Sequence, residues 1–131
     1  QPIFDNLELL IGAASSKKGL SMQKLIDEGF IQVEPLTYIR GRSLPHQFLV
    51  VDEAQNLTPH EVKTIITRAG EGSKIIFTGD LDQIDRRRRL DRISSGLAYA
   101  ASRLQGQDIV ASIKFKTSVR SELAKIGVEL L

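Results

Sequence analysis

Two short apolar runs in this chain end in side chains suited to phosphate chemistry. The first, FLVVDEAQN over 48–56, carries Asp52, Glu53 and Gln55 directly after four apolar residues. The second, SKIIFTGDLDQID over 73–85, carries Thr78, Asp80 and Gln83 after Ile75, Ile76 and Phe77. An apolar run that stops at a carboxylate is the pattern of a buried parallel strand delivering a polar group to its C-terminal tip. Two such tips predict one polar site above a sheet. Asp52 would hold Mg²⁺ through water, because that ion keeps several waters and needs few protein ligands. Glu53 would orient, or take a proton from, a water attacking a γ-phosphate. Gln55 and Gln83 are neutral amides that bond nucleotide or water without opposing phosphate charge, and Thr78 and Asp80 would face the same ion. Taken alone, Asp52-Glu53 reads more plainly as a solvated acidic pair; for Gln83 the competing reading is a loop amide. The AQN that follows and the second acidic tip favour phosphoryl-transfer chemistry. Gly79 reads as structural, a residue permitting a sharp exit from its strand.

The elements that must position these groups follow an α/β order. Apolar residues at 3, 4, 7, 10 and 11 keep a helical period. Residues 13–19 read as a polar connection, after which Ser21 caps a short helix through Glu28, with Leu25 and Ile26 inward and Gly29 as its stop. The β-branched and aromatic stretch 30–39 reads as a strand with an irregular point at Pro35, left through an Arg40-Gly41-Arg42-Ser43 loop. Thr58-Pro59-His60-Glu61 combines an N-cap, a proline at the first helical position and a glutamate at the third. That helix is expected to run to Ala69, bury Val62, Ile65 and Ile66, and stop at Gly70. A further helix is expected over 92–104 with Ile93, Leu97, Ala100, Ala101 and Leu104 on one side. The stretch 109–115 reads as a half-exposed strand, and 119–126 as a last helix. Phe48 and Phe77 are expected in the core. The sum is a three-layer α/β/α arrangement around about four parallel strands.

DEAQN, the TxxE-capped helix, TGDLDQID and SVRS (118–121) together resemble the PhoH-like ATPases, relatives of superfamily 1 helicases. PLTYIRGRSL, 35–44, is similar to the segment those proteins carry before their Walker B strand, so the likeness covers nearly all of 1–131. The resemblance implies an incomplete P-loop NTPase (RecA-like) fold and the C-terminal part of an ATPase domain. It implies Asp52 as the magnesium-associated Walker B acid, Glu53 as the catalytic carboxylate and Gln83 as the helicase motif III glutamine. Arg120 would be an arginine contacting the triphosphate, across a subunit boundary if the parent is a ring. ATP and Mg²⁺ would be the cofactors and RNA the partner. Arg40 and Arg42, flanking Gly41, would face the nucleic acid. Asp82 departs from the Thr or similar residue expected there.

The phosphate-cradling pattern GxxxxGK followed by Ser or Thr does not occur in the 131 residues. Without its backbone N–H groups and lysine most of the nucleotide's binding energy is missing, so this chain alone is expected to be inactive. In P-loop ATPases the missing strand is central, which predicts either a gap beside 74–78 or direct pairing of 109–115 with it. Gln1-Pro2-Ile3 reads as the interior of a longer chain, and a nuclease-like domain further upstream is a family possibility.

Composition narrows the remaining classes. With 41% hydrophobic and 26% charged residues this is ordinary globular material. Eighteen basic against 16 acidic residues leave +2, too little to name a partner. No cysteine is present, which removes disulfides and thiolate metal sites. No apolar run approaches the ~20 residues of a membrane span, and a cytoplasmic location is expected. Arg86, Arg87, Arg88 and Arg89 read either as a solvated run or as sequence-blind phosphate contacts, and Arg40 and Arg42 either as ligands of nucleic acid or as an ordinary charged loop, or in salt bridges to Glu34 and Asp5. No aromatic residues interleave with these arginines, so base stacking is unsupported. His46 and His60 read as structural or surface residues. The alternative function is a non-catalytic nucleic-acid-binding α/β module, which would need no acids at buried strand tips.

Overall fold

The computed structural model describes residues 2–14, 21–39, 41–116, 121, 122, 126 and 130, with backbone alone at 2–4, 12–14 and 86. It divides into two compact units, Gln1–Arg42 and Ser43–Leu131.

The first unit holds helices α1 (Pro2–Ala14) and α2 (Met22–Asp27). Ser21 caps α2 by accepting from the Lys24 N–H, and Gly29 leaves the helix at φ +77, a conformation glycine adopts without a Cβ penalty. Met22 is its buried residue, whereas Leu25 is half-buried and Ile26 exposed. The stretch 30–39 is not a strand. It runs as irregular chain into a 3-10 turn at Leu36–Ile39, and Phe30, Val33 and Tyr38 are exposed. Pro35 cannot donate to a ladder, and its carbonyl instead accepts the Tyr38 N–H and starts the turn. Arg42 pairs with Glu34 at 3.3 Å, the ion-pair reading of that residue.

The second unit is built on a parallel pair, β1 (Phe48–Val51) and β2 (Lys74–Phe77), in register Phe48 with Lys74 through Val51 with Phe77. Among the described residues the sheet has these two strands and not four. The stretch 109–115 forms no ladder, and Ile109, Ile113 and Phe115 are exposed. An isolated strand-like segment has no stability without neighbours to accept its backbone bonds, and β2 does not take 109–115 as a neighbour. The expected burial of the strands is corrected accordingly. Val51 is buried, Phe77 half-buried, and Phe48 is 66% exposed because a two-stranded sheet covers few side chains.

Helix α3 (Pro59–Ile66) starts as expected. Thr58 Oγ1 accepts the Glu61 N–H and the Glu61 carboxylate accepts the Thr58 N–H at 2.8 Å, a closed capping box. It buries Val62 and Ile65 but only half of Ile66. It ends three residues before Ala69 because the backbone there turns to Leu44: the Leu44 N–H donates to Arg68 O and the Gly70 N–H to Leu44 O. Helix α4 is Gly96–Arg103, shorter than the expected 92–104. Asp91 accepts from the N–H groups of Ile93 and Ser94 and from the Ser94 hydroxyl, folding 92–94 into a turn that leaves Ile93 exposed. Those bonds, the Ser94 N–H first, hold the Asp91 carboxyl below the ordinary aspartate range. Helices α3 and α4 pack on each other, and α4 also packs on the 3-10 turn Ala54–Asn56 after β1. With the β1–β2 pair, these are the main contacts between elements of this unit among the described residues. Gly96 is the contact point: its N–H donates to Leu57 O at 2.6 Å, and a Cβ there would lie 2.5 Å from Thr58 O.

Candidate functional site at the strand tips

Pairing β1 with β2 in parallel brings both C-terminal tips to one edge of the sheet. The backbone crosses twice beyond the last paired residues, Thr78 N–H to Val51 O and Ala54 N–H to Thr78 O, both 2.9 Å. Asp52 is exposed, and its Oδ1 accepts the Thr78 hydroxyl at 2.8 Å. Glu53 is exposed and sits at φ 54, ψ 33, a left-handed conformation that costs a non-glycine residue about 1–2 kcal/mol. The turn through Ala54–Asn56 then buries Ala54 and Gln55 beneath the two acids.

Gln55 is 1% exposed and fully engaged. Its Nε2 donates to Glu53 Oε2 at 2.7 Å and to Gln83 O at 3.3 Å, while its Oε1 accepts the Asp80 N–H at 3.2 Å. Asp80 shapes the loop after β2: its Oδ1 accepts the Asp82 N–H and its Oδ2 accepts the Gln83 Nε2, at 2.9 and 2.7 Å. Gln83 itself is exposed. Asp82 pairs with Arg92, so the residue that departs from the expected pattern takes part in a surface ion pair.

The structure therefore brings these residues to one end of the sheet as two hydrogen-bonded groups, Asp52 with Thr78 and Glu53, Gln55, Asp80 and Gln83 together, joined through the backbone by the Ala54 N–H to Thr78 O bond. Arg40 and Arg120 lie outside the described residues, and Arg42 belongs to the other unit, paired with Glu34. In the basic run, Arg88 lies 3.9 Å from Glu61, and Arg87 and Arg89 are exposed. Gly79 has a different reason from a sharp exit: its φ is not in the left-handed region, and an added Cβ would collide with Gln55 Oε1 and lie 3.0 Å from the Gln55 nitrogen. One participant escaped the sequence reading. Asn56 Oδ1 accepts the Asp85 N–H at 2.7 Å and anchors the far end of the loop. Its position in the same tight turn as Gln55 was the available signal.

Among the described residues no three His, Cys, Asp or Glu side chains converge as a metal cage. One carboxylate supported by a hydroxyl is a donor set for Mg²⁺, which retains most of its waters, and not for a tightly caged transition metal.

Residues 1–130 match the family described as PhoH-like protein. The chain belongs to the PhoH-like family. It is 55% identical over 131 residues to Protein PhoH2 of Bacillus subtilis (strain 168), covering all of this chain and 29% of that protein. It is 40% identical over 114 residues to the PhoH-like protein of the same organism, 87% of this chain and 33% of the relative. Against Protein PhoH2 of Mycolicibacterium smegmatis the identity is 36% over 131 residues, all of this chain and 28% of the relative. The chain thus spans about a third or less of the curated PhoH-like relatives it matches. None of the described helices is long and apolar enough to cross a membrane.

Proposed function

We propose that this chain supplies the Walker B and motif III-like part of a Mg²⁺-dependent ATPase. The observation that carries the reading is the convergence of two acidic strand tips, joined by the Thr78–Asp52 hydrogen bond and by the Gln55 amide beneath. A simple binding module has no use for that construction. Asp52, held by Thr78, is the residue to hold hydrated Mg²⁺, and Asp80 would face the same ion. When bound, the ion neutralises charge on the phosphate oxygens. Glu53 projects from a fixed backbone and is exposed, so its carboxylate can orient a water and accept its proton as the water oxygen bonds to the γ-phosphorus and ADP leaves. Gln83, exposed at the end of the same cluster, would read the γ-phosphate. Its bond to Asp80 links that reading to the rest of the loop.

The phosphate loop must come from outside these 131 residues, so the chain alone does not hydrolyse ATP. Arg120 would contact the triphosphate, from a neighbouring subunit in a ring. RNA is the proposed substrate of the coupled work, with Arg40 and Arg42 facing it. The alternative, a non-catalytic nucleic-acid-binding module using Arg40, Arg42 and Arg86–Arg89, has less support, because such a module needs no acids at the two strand tips and Arg88 lies beside Glu61. The test is phosphate release from MgATP by the protein encoded by the full open reading frame carrying this sequence, with and without RNA. Glu53→Gln is expected to reduce turnover by at least about 10²-fold, the range for loss of a general base. Undiminished turnover in that variant would remove Glu53 from the mechanism.

A further inference from the structure

We propose that Gln55 is a positioning residue which couples the Glu53 carboxylate to the 80–83 loop, and that it does not itself contact nucleotide. This rests on the ATPase reading of the same site.

Three observations lead there. First, Gln55 is 1% exposed, so a nucleotide reaching its amide would have to open the turn that buries it. Second, the amide is committed on both ends. Nε2 divides between Glu53 Oε2 and the Gln83 carbonyl, and Oε1 takes the Asp80 N–H. Only a neutral amide of this length does all three jobs: a carboxylate would oppose Glu53, and an apolar side chain would leave the Asp80 N–H unmatched. Third, the surroundings are cut to fit it. Position 79 has no room for a Cβ because the Gln55 amide occupies that space. Meanwhile Glu53 is held in a left-handed backbone conformation that an unsupported glutamate would leave.

The consequence is a short mechanical link. A shift of the 80–83 loop, such as Gln83 engaging or releasing a phosphate, moves the Gln83 carbonyl and the Asp80 N–H. Both share the amide that orients Glu53. The loop that reads the γ-phosphate thereby sets whether the carboxylate is aimed, with no contact between Gln55 and ligand.

The experiment is steady-state MgATP hydrolysis by the full-length protein, comparing wild type with Gln55→Met, each also in a Glu53→Gln background. Gln55→Met keeps the volume and removes the hydrogen bonds. It is expected to lower kcat about 10–100-fold, as loss of a partner that orients a functional ligand typically does, with KM for MgATP within about twofold. In the Glu53→Gln background it is expected to cause no further loss, because its effect runs through Glu53. A raised KM with kcat unchanged would mean direct nucleotide contact and overturn the proposal. An equal loss in both backgrounds would mean general damage and overturn it as well. If Gln55→Met does not fold, Gln55→Glu is read by the same criteria. A second measurement leaves position 55 intact: the Gln55 side-chain NH₂ resonance should exchange slowly with solvent and shift on Glu53→Gln, and fast exchange without a shift would contradict the link. A fully active Glu53→Gln would overturn the proposal, because no catalytic carboxylate is left at 53 for Gln55 to aim, while a wild type without Mg-dependent turnover refutes the ATPase reading instead. The amide resonance still judges the link in that case.

Discussion

At the scale of single residues, the site depends on what each side chain is bonded to more than on which acids are present. Asp52 and Glu53 are neighbours in sequence with different supports. Asp52 is held by a hydroxyl across the sheet at 2.8 Å, and Glu53 by an amide within its own turn at 2.7 Å. The Asp52 support leads to a prediction. Thr78→Val keeps the shape of the strand tip and removes the donor that fixes the Asp52 carboxylate. Outer partners of metal-binding groups are typically worth 10–100-fold in metal affinity. The Mg²⁺ concentration for half-maximal hydrolysis is therefore expected to rise about tenfold or more in Thr78→Val of the full-length protein, with saturating turnover less affected. An unchanged Mg²⁺ titration would show that Asp52 needs no such support. The acids themselves were legible in the sequence, because a carboxylate directly after an apolar run marks the place where a strand leaves the interior. The burial of Gln55 was not. A glutamine next to charged residues reads as solvent-facing until Gly79 and helix α4, both distant in sequence, are packed against its turn.

At the scale of elements, the local signals held where local chemistry decides and failed where a distant partner does. The Thr58–Glu61 capping box needs only four consecutive residues, and it is present as read from the sequence. Thr58→Ala is expected to cost about 1 kcal/mol, measurable as a shift in the urea midpoint of unfolding. No shift would mean the helix is held by its packing on α4 alone. The end of α3 differs from the expected one because Gly70 is a plausible stop, while the actual stop is set by Leu44 bonding to the backbone at 68 and 70, over twenty residues away. The start of α4 differs for a related reason. Ile93 fits the apolar period of a longer helix, but Asp91 and Ser94 compete locally for the same backbone groups and win. The strand expected over 30–39 rested on β-branched and aromatic composition, which describes residues that fit a sheet without supplying a neighbour. At 35–38 a proline-initiated turn takes over.

At the scale of the molecule, the parallel pair of strands explains both the site and an exposed surface. The sheet order β1-β2 suffices to bring the two acidic tips together. The same small sheet leaves Phe48, Val50 and Ile76 partly exposed, and Ile109, Ile113 and Phe115 are 97%, 80% and 87% exposed. Exposed large apolar side chains in such number favour association. The 131-residue chain produced alone is therefore expected to self-associate in the micromolar range. Ile113→Ser with Phe115→Ser should shift it toward monomer in sedimentation velocity. A monomer at all concentrations, unaffected by these changes, would mean the exposed residues are not adhesive.

The most direct test of the central claim separates binding from cleavage in the full-length protein. Nucleotide affinity and single-turnover hydrolysis would be measured on wild type and Glu53→Gln with the same MgATP. If Glu53 is the carboxylate that activates water, the variant binds MgATP within a few-fold of wild type and retains it uncleaved, its rate down by at least about 10²-fold. Cleavage at the wild-type rate would place the catalytic base elsewhere and reduce the paired strand tips to structure.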